Sequence, residues 1–152
     1  MNTSSNFINE ISISYSKKQF NSKTVNTSQI AHEASREIFE CCNCQIELKE
    51  YFFIVLLNRA NQIIGYHKLS EGGICGTVVD IRLAFATALK GLASAMILVH
   101  NHPSGNLTAS HQDISITNRF REVGKLMDIQ IFDHIILTDA GYLSFADEGL
   151  IS

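Results

Sequence analysis

Apolar positions along this chain recur with two different periods, and the switches between them divide it into elements. From Thr27 onward, Ile30, Ala34, Ile38 and Cys41 fall at helical spacing and predict a first helix of about four turns. The unbroken apolar run Tyr51 to Leu57 is rich in β-formers and predicts a central strand. Asn58 to Asn61 reads as a turn, and Gln62 to Leu69 returns as the hairpin partner. Glu71, Gly72, Gly73 and Gly76 interrupt the pattern before Asp80, which can cap a second helix. That helix carries Ile81, Ala84, Phe85, Ala88 and Leu92 on one face. Ala95 to Val99 is another buried strand, followed by a polar loop that holds Pro103, the only proline. A third helix is predicted from about Ser110, with Ile116, Phe120, Val123 and Met127 as its apolar stripe. Ile129 to Leu137 and Tyr142 to Phe145 read as closing strands around a turn at Asp139, Ala140 and Gly141.

Strands alternating with helices predict a single layered α/β domain with a mixed sheet over residues 27–152. Residues 1–26 read as a polar arm, in which Ile11 to Tyr15 alternates like a short edge strand. No internal repeat or low-complexity tract is present.

Composition narrows the function classes. The chain has 152 residues, enough for one domain with a substantial core. Net charge is −3, so no basic field marks a surface for nucleic acid, which needs clustered Lys and Arg. No apolar run approaches the roughly 20 residues of a membrane helix, and the polar start lacks the form of a signal peptide. A cytoplasmic protein is expected. Cys41, Cys42, Cys44 and Cys75 do not form a spaced disulfide framework. Cys41 and Cys44 make one C-x-x-C on a helical stretch, and buried small hydrophobes are the preferred reading over metal or redox work.

The chemistry concentrates between Val99 and Asp113. His100 and His102 stand at the end of a predicted strand, where side chains two residues apart point the same way. Pro103 and Gly105 turn the chain, and Asp113 can return from the first turn of the next helix. Two imidazoles and a carboxylate suit zinc and leave a fourth tetrahedral position for water, as catalytic zinc sites do. A blander account has the histidines as loop polar residues and Ser110-x-x-Asp113 as a helix capping box. The two accounts are compatible, since a capping residue can also face a site.

His100-x-His102, seven residues, then Ser110-x-x-Asp113 resembles the JAMM metalloprotease motif of the MPN domain. The wording from His100 to Gly105 is similar to the RadC-like bacterial branch, historically labelled DNA repair proteins. Leu57 to Asn61, Gly76 to Asp80 with Arg82, Asp133 with His134, and Ser144 to Gly149 resemble that branch too, so the likeness spans roughly residues 27–150. Ala109 departs from it, standing where proline is frequent before the serine. Longer RadC-like proteins carry a helical N-terminal extension, and neither a counterpart of it nor a DNA contact made by it is expected here.

The resemblance implies an α-β-α fold with deaminase-like topology, one Zn2+ on His100, His102 and Asp113, and hydrolysis of a peptide or isopeptide bond. It also implies a glutamate opening the strand after the first helix. Glu50 occupies that position, and Glu71 is the next candidate. In the implied mechanism Glu50 is the acid/base and Ser110 hydrogen-bonds the developing oxyanion. Asn101 and Ser104 are expected to fix the loop, and His111 to face away. His134 is expected to be a satisfied core histidine rather than a partner of the site.

Other functions fit less well. A nucleobase deaminase needs His-x-Glu and Pro-Cys-x-x-Cys, and both are missing. An HNH nuclease spreads its motif over a hairpin and helix rather than three adjacent residues. The remaining alternative is a metal-stabilised, DNA-repair-associated binding module without peptidase activity. Partners are expected to be a peptide or protein substrate, with nucleic acid unsupported by charge and no membrane. Substrate and oligomeric state are not legible.

Overall fold

The computed structural model describes residues 23–72 and 78–151. The expected strand at Ile11 to Tyr15 and the residue Cys75 lie outside them.

Among the described residues three helices flank five strands, in the order α1 (Ser28–Cys41), β1 (Tyr51–Leu57), β2 (Ile63–Glu71), α2 (Ile81–Lys90), β3 (Ala95–Asn101), α3 (His111–Met127), β4 (Gln130–Leu137) and β5 (Tyr142–Ser144). The sheet runs β2-β1-β3-β4-β5. Only β3 and β4 pair in parallel, and α3 is the crossover between them, so the sheet is mixed.

Every residue of β1 and β3 is buried, because helices cover both faces of the sheet's middle. Phe53, Val55, Leu57, Ile97 and Val99 pack with Ala31, Ala34, Ile38 and Phe39 of α1. Their neighbours Phe52, Ile54, Leu56, Met96 and Leu98 pack with Phe85 of α2 and Phe120 of α3. Complete burial of one such phenylalanine is worth about 1.5–3 kcal/mol, so these two layers carry much of the fold. The lead-in to α1 joins them: Val25 is fully buried and donates its N–H to the Asn61 carbonyl at 2.8 Å.

Caps fix the helix starts. Thr27 accepts from the Ile30 N–H and Asp80 from the Arg82 N–H. Ser110 and Asp113 form a reciprocal capping box at α3.

Several expectations are corrected. α2 stops at Lys90, so Leu92 leaves the apolar stripe and is 74% exposed. Met127, the last residue of α3, is also exposed. The three described cysteines are not buried: Cys41 is exposed and Cys42 and Cys44 are half-buried. Their C-x-x-C straddles the end of α1 rather than lying on it. Partial burial pushes the Cys44 thiol up to about 11, which keeps it protonated and unreactive at neutral pH.

Candidate metal centre

β3 runs two residues past the expected end at Val99 and carries His100 and Asn101 within the sheet. His102 follows immediately, tied by its N–H to the Leu137 carbonyl at 2.9 Å. Pro103 and Ser104 then occupy the middle of a turn closed by the Gly105 N–H on the His102 carbonyl at 3.0 Å. Gly105 has φ of +80°, a conformation that favours glycine, and it swings the Asn106 carbonyl back under the His102 ring. That carbonyl lies 2.7 Å from His102 Nδ1. A carbonyl only accepts, so Nδ1 carries the proton and the Nε2 lone pair faces the site.

Three side chains converge there. His100 Nε2 and His102 Nε2 are 3.0 Å apart. Asp113 places Oδ1 3.1 Å from His100 Nε2 and Oδ2 3.3 Å from His102 Nε2. Ligands held about 2.0–2.1 Å from a tetrahedral zinc stand roughly 3.3 Å from one another, so the observed spacings fit such an ion closely. Among the described residues this is the group of histidine, cysteine and acidic side chains arranged to hold a metal.

Electrostatics favour a cation. Burial alone pushes the Asp113 carboxyl up, but the adjoining His100 and His102 imidazoles, each able to share a captured proton with it, outweigh that effect and hold the group well below the usual carboxylate range. Asp113 in turn raises His102 above the ordinary imidazole value, against the opposing effect of burial. A proton and a metal therefore compete for the same nitrogen.

Ser110 serves the site twice. Its N–H donates to Asp113 Oδ2 at 2.7 Å and orients the carboxylate. Its Oγ accepts from the Asp113 N–H at 3.1 Å, which leaves the hydroxyl proton available to another acceptor. The surrounding cavity, about 450 Å³, is lined by Glu50, His100, His102, Ser110 and Asp113, with Arg119 on its flank.

Glu50 sits one residue before β1 and is half-buried in that cavity. Desolvation raises its pKa above the ordinary glutamate value, although His100 and His102 pull the other way. The neighbouring backbone is locked by Asn101. The Asn101 Nδ2 group donates to the carbonyls of Ile46 at 2.8 Å and Lys49 at 2.7 Å, and Oδ1 accepts from the Tyr51 N–H at 2.8 Å. Residues on both sides of Glu50 are therefore held by the amide that separates the two site histidines. Glu71, the other acidic candidate, turns away to Lys49 and Lys68 at 3.0 and 2.8 Å. His111 is exposed, and Ser104 accepts a weak bond from the Asn106 N–H at 3.3 Å.

His134 is the satisfied core histidine expected, and it also touches His100 and Thr117, a contact that no spacing in the sequence marks. His134 is fully buried, and desolvation lowers it well below the ordinary histidine value. Its Nε2 lies 2.7 Å from His100 Nδ1, and its Nδ1 lies 2.6 Å from Thr117 Oγ1. Phe52 stacks on the His100 ring at 5.7 Å, and Phe145 tilts over His134 at 4.5 Å. The adjacent Asp133 belongs to the scaffold, accepting from Ser144 Oγ and the Ala146 N–H at 2.6 and 3.0 Å.

A layered α-β-α domain, with two imidazoles at a strand tip and a carboxylate at the next helix start, has the architecture of a JAB or MPN domain. The chain belongs to the RadC-like JAB domain family, whose model matches residues 20–150. It is 46% identical over 101 residues to the UPF0758 protein of Flavobacterium johnsoniae, covering 66% of this chain and 44% of that one. The UPF0758 protein of Pelobacter propionicus is 42% identical over 118 residues, covering 76% and 52% of the respective chains. That of Porphyromonas gingivalis is 45% identical over 104 residues, covering 68% and 46%. The chain spans about half the length of the curated relatives it matches. No helix among the described residues is long and apolar enough to cross a membrane.

Proposed function

We propose that this domain is a zinc-dependent metallohydrolase of the JAMM type, cleaving a peptide or isopeptide bond in a protein substrate. The observation that carries the reading is the convergence of His100, His102 and Asp113 at 3.0–3.3 Å in a cavity that Glu50 and Ser110 also line. His100 and His102 would hold the ion through Nε2 and Asp113 through its carboxylate. When bound, zinc supplies Lewis acidity that brings a water's pKa from near 16 toward about 7.

Glu50 takes the proton of the attacking water and returns it to the departing amine. Its raised pKa suits both roles, since a carboxyl nearer neutrality gives a proton back more readily. The Ser110 hydroxyl donates to the oxyanion that develops on the attacked carbonyl. Asn101 keeps Glu50 at its station by binding the backbone on either side of it.

Metal analysis of the wild-type protein and His102→Ala tests the ligand assignment: about one zinc per chain is expected in the first and far less in the second. Zinc-dependent peptide cleavage, lost in Glu50→Gln with zinc retained, tests the chemistry. Gel-shift binding of DNA by zinc-loaded protein with no cleavage of any peptide would instead favour a metal-stabilised binding module.

A further inference from the structure

Thr117 lies one turn beyond Asp113 on α3 and is buried. Its Oγ1 stands 2.6 Å from the Asp113 backbone carbonyl and 2.6 Å from His134 Nδ1. The carbonyl can only accept, so it takes the single hydroxyl proton. Thr117 Oγ1 must then accept from His134, which places the ring proton of His134 on Nδ1. In a neutral imidazole the other nitrogen is an acceptor, and here it lies 2.7 Å from His100 Nδ1. His100 therefore donates from Nδ1 and keeps the lone pair on Nε2, the atom 3.1 Å from Asp113 Oδ1.

We propose that Thr117 and His134 are positioning residues that lock His100 in the one tautomer able to bind a cation through Nε2, with the polarity of the chain set by a helix carbonyl. Without them His100 is free to carry its proton on Nε2. There it would hydrogen-bond Asp113 and fill the direction in which a metal must approach. The same logic already holds at His102, where the Asn106 carbonyl takes the Nδ1 proton. The two imidazoles are thus set by different devices, a loop carbonyl for the half-buried His102 and a buried relay for His100. Once both are set, His100 Nε2, His102 Nε2 and both Asp113 oxygens face one another as acceptors without a proton between them. Only a cation or a captured proton relieves that arrangement.

The relay concerns ring protons and is measurable without metal, although its consequence for binding rests on the zinc reading above. Long-range proton–nitrogen correlation spectra of the metal-free, 15N-histidine-labelled protein should show both His100 and His134 protonated at Nδ1. In Thr117→Val, which keeps shape but removes the hydroxyl, His100 should shift toward the Nε2-protonated form. Zinc affinity, measured against a competing chelator, should weaken about 10- to 100-fold. Thr117→Ser should restore both readouts. A parallel pair guards against misfolding: His134→Gln, whose amide oxygen can still accept, should retain zinc better than His134→Leu. If wild type takes up no zinc but His100 changes tautomer in Thr117→Val, the relay stands and the metal reading falls. Wild-type His100 protonated at Nε2, or Thr117→Val with unchanged tautomer and zinc affinity, overturns the relay.

Discussion

The tip of β3 presents two faces that look alike in sequence and behave differently. Toward α1 the strand shows Ala95, Ile97, Val99 and then Asn101; toward α2 and α3 it shows Met96, Leu98 and then His100. Both faces exchange apolar for polar side chains at the same level. Asn101 spends its amide on three backbone partners and is fully buried. On the opposite face His100 meets His102 and Asp113 lone pair to lone pair, in a cavity. A buried polar group with every bond made is scaffold, worth about 0.5–1.5 kcal/mol per bond. Buried acceptors turned on one another cost stability unless a ligand joins them, which marks a site.

The sharpest way to break this contrast is Glu50→Gln. Loss of a general acid/base is expected to lower kcat about 100- to 10,000-fold, with zinc content and unfolding midpoint close to wild type. Unfolding of this variant would show that the acid is scaffold after all. On the other face, Phe53→Ala deletes a fully buried ring between α1 and the sheet. It should cost about 3–5 kcal/mol in denaturant unfolding while the folded fraction still takes up zinc. Asn101→Ala crosses the divide. It leaves the buried Tyr51 N–H and the part-buried Ile46 and Lys49 carbonyls without their Asn101 partner, so a loss of about 1–3 kcal/mol is expected, together with lower kcat at unchanged zinc content. An unchanged kcat would sever the link between the two faces.

The smallest effect is a displaced titration. Glu50 has its pKa raised by desolvation, and its base form is lost as pH falls through that raised value. In the metal-free protein, carboxyl NMR should therefore show Glu50 protonating above the ordinary glutamate value of 4.5. Glu50→Gln should remove that resonance. A midpoint at or below 4.5 in the metal-free protein would mean that the carboxyl is solvated.

Much of the site was legible because its logic is local. His100 and His102 share a face through the two-residue period of a strand, and Ser110 with Asp113 forms a capping box recognisable from spacing alone. Leu92 and the cysteines from Cys41 to Cys44 depart from the pattern because periodicity does not say where a helix stops: α1 ends at Cys41 and α2 at Lys90. Glu71 could be set aside only once Lys49 and Lys68 were seen to claim it.

The sequence by itself determined the elements, the layered α/β class and the short-range grouping of His100, His102 and Asp113, since each rests on periods and caps a few residues long. Tertiary structure decided what stands behind that group. The β3–β4 register shifts between Met96 and Ile97, which pairs Leu98 with His134 and puts that imidazole on the same face as His100. Thr117 reaches His134 from another element 17 positions away. No repeat in the chain encodes that meeting, because a register shift and a helix docking are settled by packing over the whole sheet rather than by neighbours in sequence.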